Sequence, residues 1–200
     1  RALCESHLQL IGPEARLESI HYFSALAEHR KKHDPKVVSR HMAFIKCLRD
    51  TGVVVELGSG TGAITQALVE RGIAEERLIL IEADPQFCAL LKERYPGARV
   101  LSGDAYAAPR MLRELDVGPI AAVVSGLPLL TQKPVKRQRL LLGLLRLGMP
   151  GSAFVQFTYF YRSPIPIGTR NIESDASPIV WWNLWPARVF TYRRPATALN

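Results

Sequence analysis

The chain has 200 residues, enough for one α/β domain with a sizeable core, and hydrophobic residues make up 48% of it, which excludes a disordered chain. No apolar run reaches the eighteen or so residues that span a bilayer. The net charge of +8, from 26 Lys and Arg against 18 Asp and Glu, favours an anionic partner, either nucleic acid or an acidic lipid surface. Residue 1 is not Met and no signal peptide is evident, so the chain is expected to begin inside a longer product or after trimming. The three cysteines, Cys4, Cys47 and Cys88, show no metal or redox spacing, and reduced thiols are expected.

Residues 1–50 read as a helical segment. Leu17, Ile20, Phe23, Leu26 and Ala27 recur at three- and four-residue steps, with His21 inside the stripe and Arg30, Lys31, Lys32 and His33 after it. Asp34-Pro35 breaks this helix, and KVVSRHMAFIKCLRD reads as a second, stopped by Gly52. A basic helix with an apolar stripe suits the plane of a membrane interface, so Arg30, Lys31 and Lys32 are expected to meet anionic lipid.

Residues 51–200 read as one α/β domain, alternating strand and helix from residue 53. VVVEL is a β-branched strand, GSGTG a glycine turn, and AITQALVERG a helix ending at Gly72. RLILIEADP is a second strand and PQFCALLKERYPG a helix with Pro85 at its start. ARVLSGDAY is a third strand, APRMLRELDVG a short helix, and PIAAVVSGLPLL a fourth strand entering a proline turn. KPVKRQRLLLGLLRLGMPG is a helix and SAFVQFTYF a fifth strand. RSPIPIGTRNIESDASP is expected to be a loop, with IVWWNL and ARVFTYRR as two closing strands around Pro186. This alternation argues for a parallel sheet covered on both faces with right-handed crossovers.

Two ligand classes use a strand, glycine turn and helix of this kind. A dinucleotide site asks for G-x-G-x-x-G or a final Ala, and Gly58, Gly60 and Ala63 fit. An S-adenosylmethionine (SAM) site asks for an acid two places before the first glycine, and Glu56 stands there. That carboxylate would balance the cationic charges of SAM and would repel a pyrophosphate. In a doubly wound sheet the ligand lies at the carboxyl ends of the strands. Strand two ends in Glu82-Ala83, where a carboxylate can take both ribose hydroxyls of an adenosine. Strand three ends in Gly103-Asp104-Ala105, suited to the adenine amino group, and strand four in Ser125-Gly126-Leu127-Pro128. Three acids at successive strand ends favour SAM, with NAD as the other ligand. Cofactor contacts are thus expected from Glu56, Gly58, Ser59, Gly60, Gly62, Glu82, Ala83, Gly103, Asp104, Ala105 and Ser125.

With these motifs, residues 53–160 resemble a class I SAM-dependent methyltransferase, a Rossmann-like fold. The resemblance implies a seven-stranded, mostly parallel sheet closed by a C-terminal antiparallel hairpin and preceded by N-terminal helices. The stretch SGLPL at 125–129 is similar to the N-L-P-Y turn of rRNA adenine dimethylases, with Ser-Gly in place of Asn. VSGLPLL, QFTYFYRSPIP and WWNLWPARVFTYRRP together more closely resemble the soluble bacterial phospholipid N-methyltransferases. That likeness covers most of residues 53–195. Upstream, KHDPKVVSRHMA stands where family members carry Gly-Ala-Val…Pro-Ser.

The likeness implies methyl transfer from SAM to phosphatidylethanolamine and its mono- and dimethyl forms, giving phosphatidylcholine and S-adenosylhomocysteine. It also implies peripheral attachment to the inner face of the cytoplasmic membrane, and no nucleic acid partner. An incoming ammonium must lose a proton, and Tyr106, Tyr159 and Ser125 are the candidate catalytic groups. Gly126, Leu127, Pro128, Tyr159 and Arg162 are the candidate substrate contacts, Arg162 as partner of the lipid phosphate. Two other readings stay open at this level: an RNA adenine methyltransferase, and a SAM-binding protein without catalysis.

Overall fold

The computed structural model describes residues 52–166, 172–177, 179 and 188–194. The N-terminal segment, with Arg30, Lys31 and Lys32, and most of IVWWNL lie outside the described residues.

Val53–Leu57 forms β1, and its glycine turn leads into α1, Ala63–Glu70. Leu78–Glu82 (β2) is followed by α2, Pro85–Arg94, and Arg99–Ser102 (β3) by α3, Ala108–Glu114. Ile120–Ser125 (β4) is followed by α4, Pro134–Leu147, and then by Gly148–Thr158 (β5). Glu173–Ala176 (β6) and Arg188–Arg193 (β7) complete one seven-stranded sheet in the order β3-β2-β1-β4-β5-β7-β6. The first five strands are parallel. β7 runs antiparallel to both β5 and β6.

The expected fold is therefore the one observed, with one correction in the closing hairpin. Its outer strand is Glu173–Ala176, inside the stretch expected to be a loop. ESDA carries no apolar run because β6 pairs only with β7 and stands at the sheet edge, where polar residues discourage further pairing. A smaller difference is that β5 starts at Gly148. Gly148 is already extended there, and Pro150 bars the helix from continuing.

The strands alternate, apart from an irregularity at Ala121 of β4 where the register shifts. Val55, Leu57, Ile79, Ile81, Val123 and Phe154 face one side and pack beneath α3 and α4. Val54, Leu78, Leu80, Ala122 and Val124 face the other and pack with Leu91 and Tyr95 of α2. Burying each such aliphatic side chain contributes about 1.5–3 kcal/mol, so β1, β2 and β4 form the rigid centre from which the loops project.

α3 and α4 approach closely at Gly143. A Cβ there would lie 2.8 Å from both Cβ and Cγ of the Pro109 ring. A proline ring cannot swing aside, so Gly143→Val is expected to destabilise the domain by about 1–3 kcal/mol through overpacking. A shift of the urea midpoint at unchanged slope measures this.

Candidate functional site

The carboxyl ends of β1 to β4 converge on the glycine turn. Gly58, Gly60 and Gly62 all have left-handed φ, at 68°, 53° and 84°. Their surroundings differ. A Cβ on Gly58 would strike Leu127 Cδ2 at 2.7 Å, and one on Gly62 would strike the Tyr95 ring at 2.8 Å. One on Gly60 would meet nothing within 4 Å. Gly60 is thus the point where the backbone faces open space, and the other two let β4 and α2 clamp the turn.

Glu82 braces this arrangement. Its Oε2 accepts from the Gly60 N–H at 2.8 Å, and its Oε1 from the Ala83 and Asp84 N–H groups at 2.8 and 2.9 Å. Sequence reasoning assigned Glu82 to a ribose. The structure adds that the carboxylate also ties the end of β2 to the glycine turn. With three of its roughly four lone-pair sites engaged, the carboxylate keeps acceptor capacity at Oε2.

Glu56 is fully buried in β1, on the side that α1 covers. Thr65 of α1 donates its hydroxyl to Oε2 at 2.7 Å. Oε1 and the Ser59 hydroxyl are both buried and near each other but fall short of a well-formed hydrogen bond. Burial raises the Glu56 carboxyl from 4.5 to about 8, Thr65 and Ser59 pull it back down, and Glu82 adds a further rise. Glu56 thus lies beneath the turn, because the strand period points it into the α1 layer, and burial favours its protonated form in this state.

The other strand ends are more open. Asp104 is exposed, and its Oδ1 accepts from the Tyr106 N–H at 2.9 Å. Gly103 donates its N–H to the Glu82 carbonyl at 2.9 Å, and Ala105 is buried behind. Ser125 is buried, with only a long 3.4 Å contact from the Leu127 N–H to its Oγ. Gly126 and Pro128 are exposed, and Leu127 is half-buried.

Burial pushes the Tyr106 phenol above its ordinary value, and the largely exposed Tyr159 is, like any phenol, protonated at neutral pH. Tyr106 is corrected further. Its hydroxyl is buried without a partner among the described residues, and Lys136 of α4 stands over its ring at 4.2 Å, which occupies that ring face with a cation of the protein's own. Tyr159 is exposed and packs edge-on against Phe157 at 5.0 Å. Arg162 is exposed beyond β5, with its guanidinium 5.4 Å from the Tyr161 ring.

Sequence reasoning missed three positioning groups. Gln156, buried on β5 opposite Ser125, donates to the Leu127 carbonyl at 2.9 Å and fixes the strand-four turn. Arg94 and Tyr95, at the end of α2, donate to the Thr61 and Gly62 carbonyls at 2.6 and 3.1 Å. Arg137 is buried, donates to the Pro164 carbonyl, and has an unpartnered Nε. Arg137 alone left a signal, since it shares the stripe of Leu140, Leu141 and Leu144 at steps of three, four and seven.

Known proteins share this framework. A family model described as ribosomal RNA adenine dimethylase matches residues 32–114. The ornithine lipid N-methyltransferase of Singulisphaera acidiphila is 36% identical over 110 residues, which cover 53% of this chain and 57% of that protein. Ribosomal RNA small subunit methyltransferase A of Phenylobacterium zucineum is 36% identical over 94 residues, 46% of this chain and 31% of that one. The chain thus spans less than two thirds of the length of these relatives. The O-methyltransferase from Bacillus cereus, solved in complex with SAH, superposes with a TM-score of 0.59 at 13% identity, covering 96% of this chain and 97% of that one. The described residues form the Rossmann-like fold of the class I SAM-dependent methyltransferases, whose cofactor is S-adenosylmethionine.

The residues present fit that cofactor. Gly60 leaves the backbone bare, Asp104 has a second oxygen without a protein partner, and Glu56 Oε1 and Ser59 Oγ are buried polar atoms under the turn without a well-formed hydrogen bond. Glu82→Ala is expected to lower S-adenosylhomocysteine affinity roughly ten- to hundredfold, as loss of a charged hydrogen bond of about 1.5–3 kcal/mol implies. Calorimetric titration reads it, and a folded variant with unchanged affinity contradicts the assignment.

Glu56 also makes stability depend on pH. Between about 4.5 and about 8 the native state holds a proton that the unfolded chain has lost. Native protons then exceed unfolded ones, so stability falls as pH rises through that window. Urea unfolding from pH 5 to pH 8 is expected to show this fall in the wild type and a flatter profile in Glu56→Gln.

Proposed function

We propose that the chain methylates the amine of a phospholipid headgroup, converting phosphatidylethanolamine through its mono- and dimethyl forms to phosphatidylcholine. The carrying observation is the 36% identity to a lipid N-methyltransferase over 110 residues. The Ser125-Gly126 turn, in place of the Asn of the rRNA dimethylase turn, supports the same reading. The reaction takes place at the inner face of the cytoplasmic membrane.

When bound, S-adenosylmethionine supplies a methyl carbon activated by its sulfonium. The chain's part is to hold donor and acceptor in line and to keep water out. Gly60 and Glu82 set the donor end, as the bare backbone and the adjacent carboxylate. The β4 turn sets the acceptor end, and Gln156 fixes its position. The Ser125 and Gly126 carbonyls orient the amine. The exposed Tyr159 offers a ring face to the headgroup cation and a neutral phenol oxygen as hydrogen-bond acceptor. A phenol protonated at neutral pH is no standing phenolate base, so the amine loses its proton before or during docking, with solvent as the sink. Arg162 is placed to pair with the lipid phosphate.

The second reading is adenine methylation of RNA, which the match to the rRNA adenine dimethylase model favours. Radiolabelled methyl transfer from S-adenosylmethionine to a phospholipid extract and to ribosomal RNA separates the two. Label in phosphatidyl-N-methylethanolamine and its successors is expected. Label in RNA alone would overturn the proposal.

A further inference from the structure

Large apolar side chains are exposed on one side of the domain. Among the described residues the exposed ones are Phe87, Leu130, Val135, Tyr159, Phe160 and Tyr161. All six follow the carboxyl end of a strand. Phe87 lies in the first turn of α2, Leu130 in the one-turn helix Leu129–Thr131 after β4, Val135 in the first turn of α4, and the three aromatics just past β5. The aromatics are 59%, 40% and 56% exposed. Two contacts join the last groups into one surface. Arg137 of α4 donates to the Pro164 carbonyl, and Gln138 donates to the Pro166 carbonyl at 3.5 Å. This surface flanks the β4 turn, where the acceptor enters.

Its charge is one-sided. Between Asp116 and Glu173 the chain has no acidic residue, while seven Lys or Arg fall in that interval. Lys133, Lys136, Arg139 and Arg162 are exposed there, and none is in an ion pair among the described residues. An exposed apolar patch rimmed by unpaired cations marks an interaction surface whose partner is both greasy and anionic.

We infer that this carboxyl-edge surface, built on Leu130, Val135, Phe160 and Tyr161 with Lys133 and Arg139, docks the domain on an anionic lipid bilayer. The inference rests on the lipid reading above and names where the membrane meets the chain. Single-stranded RNA is the competing occupant, since it too seeks cations and rings. Base stacking, however, needs free ring faces. Phe160 and Tyr161 stack on each other at 4.8 Å and Arg162 lies over the Tyr161 ring at 5.4 Å, so a base would have to displace a partner from this pair. Leu130 and Val135 offer a base nothing, whereas a bilayer asks only for apolar volume near the headgroups. With the patch inserted, the β4 turn sits at headgroup depth, and the amine reaches it without the lipid leaving the membrane.

The test uses flotation of the full chain with phosphatidylcholine vesicles, with and without phosphatidylglycerol. Phe160→Ser with Tyr161→Ser is expected to weaken binding to both vesicle types by about tenfold or more. Leu130→Ser with Val135→Ser should act in the same direction. Lys133→Gln with Arg139→Gln is expected to weaken only binding to phosphatidylglycerol vesicles, by on the order of tenfold at low salt. S-adenosylhomocysteine affinity should be unchanged in all three variants, which also shows them folded. Vesicle binding equal to wild type in all three overturns the docking surface, as does normal vesicle binding with lost binding to single-stranded RNA. Methyl transfer to a short-chain, water-soluble phosphatidylethanolamine keeps the two hypotheses apart. If wild type modifies that substrate and the variants still float, docking fails and the lipid function stands. If wild type floats through this patch but modifies only RNA, the function fails and docking stands.

Discussion

The Glu82 carboxylate holds the site together. Three backbone N–H groups, from Gly60, Ala83 and Asp84, converge on its two oxygens. A turn with three left-handed glycines gains backbone freedom on unfolding, and the entropy of ordering such a segment works against it. Glu82 offsets this by fixing the middle of the turn to the end of a strand buried along its whole length. From the other side, Arg94 and Tyr95 hold the flanking carbonyls at Thr61 and Gly62. The turn is thus preorganised by groups that lie behind it, which leaves its front free.

Glu56 shows the same division between support and contact. It stands in the glycine motif, yet the strand period sends it into the interior, where Thr65 binds one oxygen. A buried acid that has kept its proton is a polar, uncharged brace between β1 and α1. A cation arriving above the turn would favour its ionised form, since an opposite charge nearby stabilises the anion. The charge state of the site is therefore linked to what occupies it.

Much of the fold was legible because it follows from period and punctuation. β-branched runs marked β1 and β4, Asp84-Pro85 marked the start of α2, and the order of elements implied the sheet. The hairpin strand Glu173–Ala176 was not legible, because at the sheet edge its inward face is only half-buried, at Ser174 and Ala176, and carries no apolar pattern. Within the site, the glycines and the acids at strand ends announced themselves by residue type and position. Tyr106 did not reveal its surroundings: the one-turn helix Ala105–Ala107 sets its ring beneath Lys136 of α4, a contact across 30 residues that no local pattern encodes. Gln156 was silent for a related reason. Its task depends on a β4–β5 register between residues 31 apart, Ser125 and Gln156, and long-range pairing leaves no trace in a sequence window.

The contact of Leu127 with Gly58 carries a consequence for how this domain can change. Leu127 fills the space a side chain at Gly58 would take, and Gly126 would press a Cβ on Ile64 at 3.3 Å. The acceptor turn and the donor turn thus share one volume. A new acceptor that required a different residue at 127 would alter the room left at 58, and the left-handed backbone there bars a compensating side chain. Changes of substrate in such a scaffold are therefore confined to residues that avoid this contact, such as Pro128 and the segment after β5.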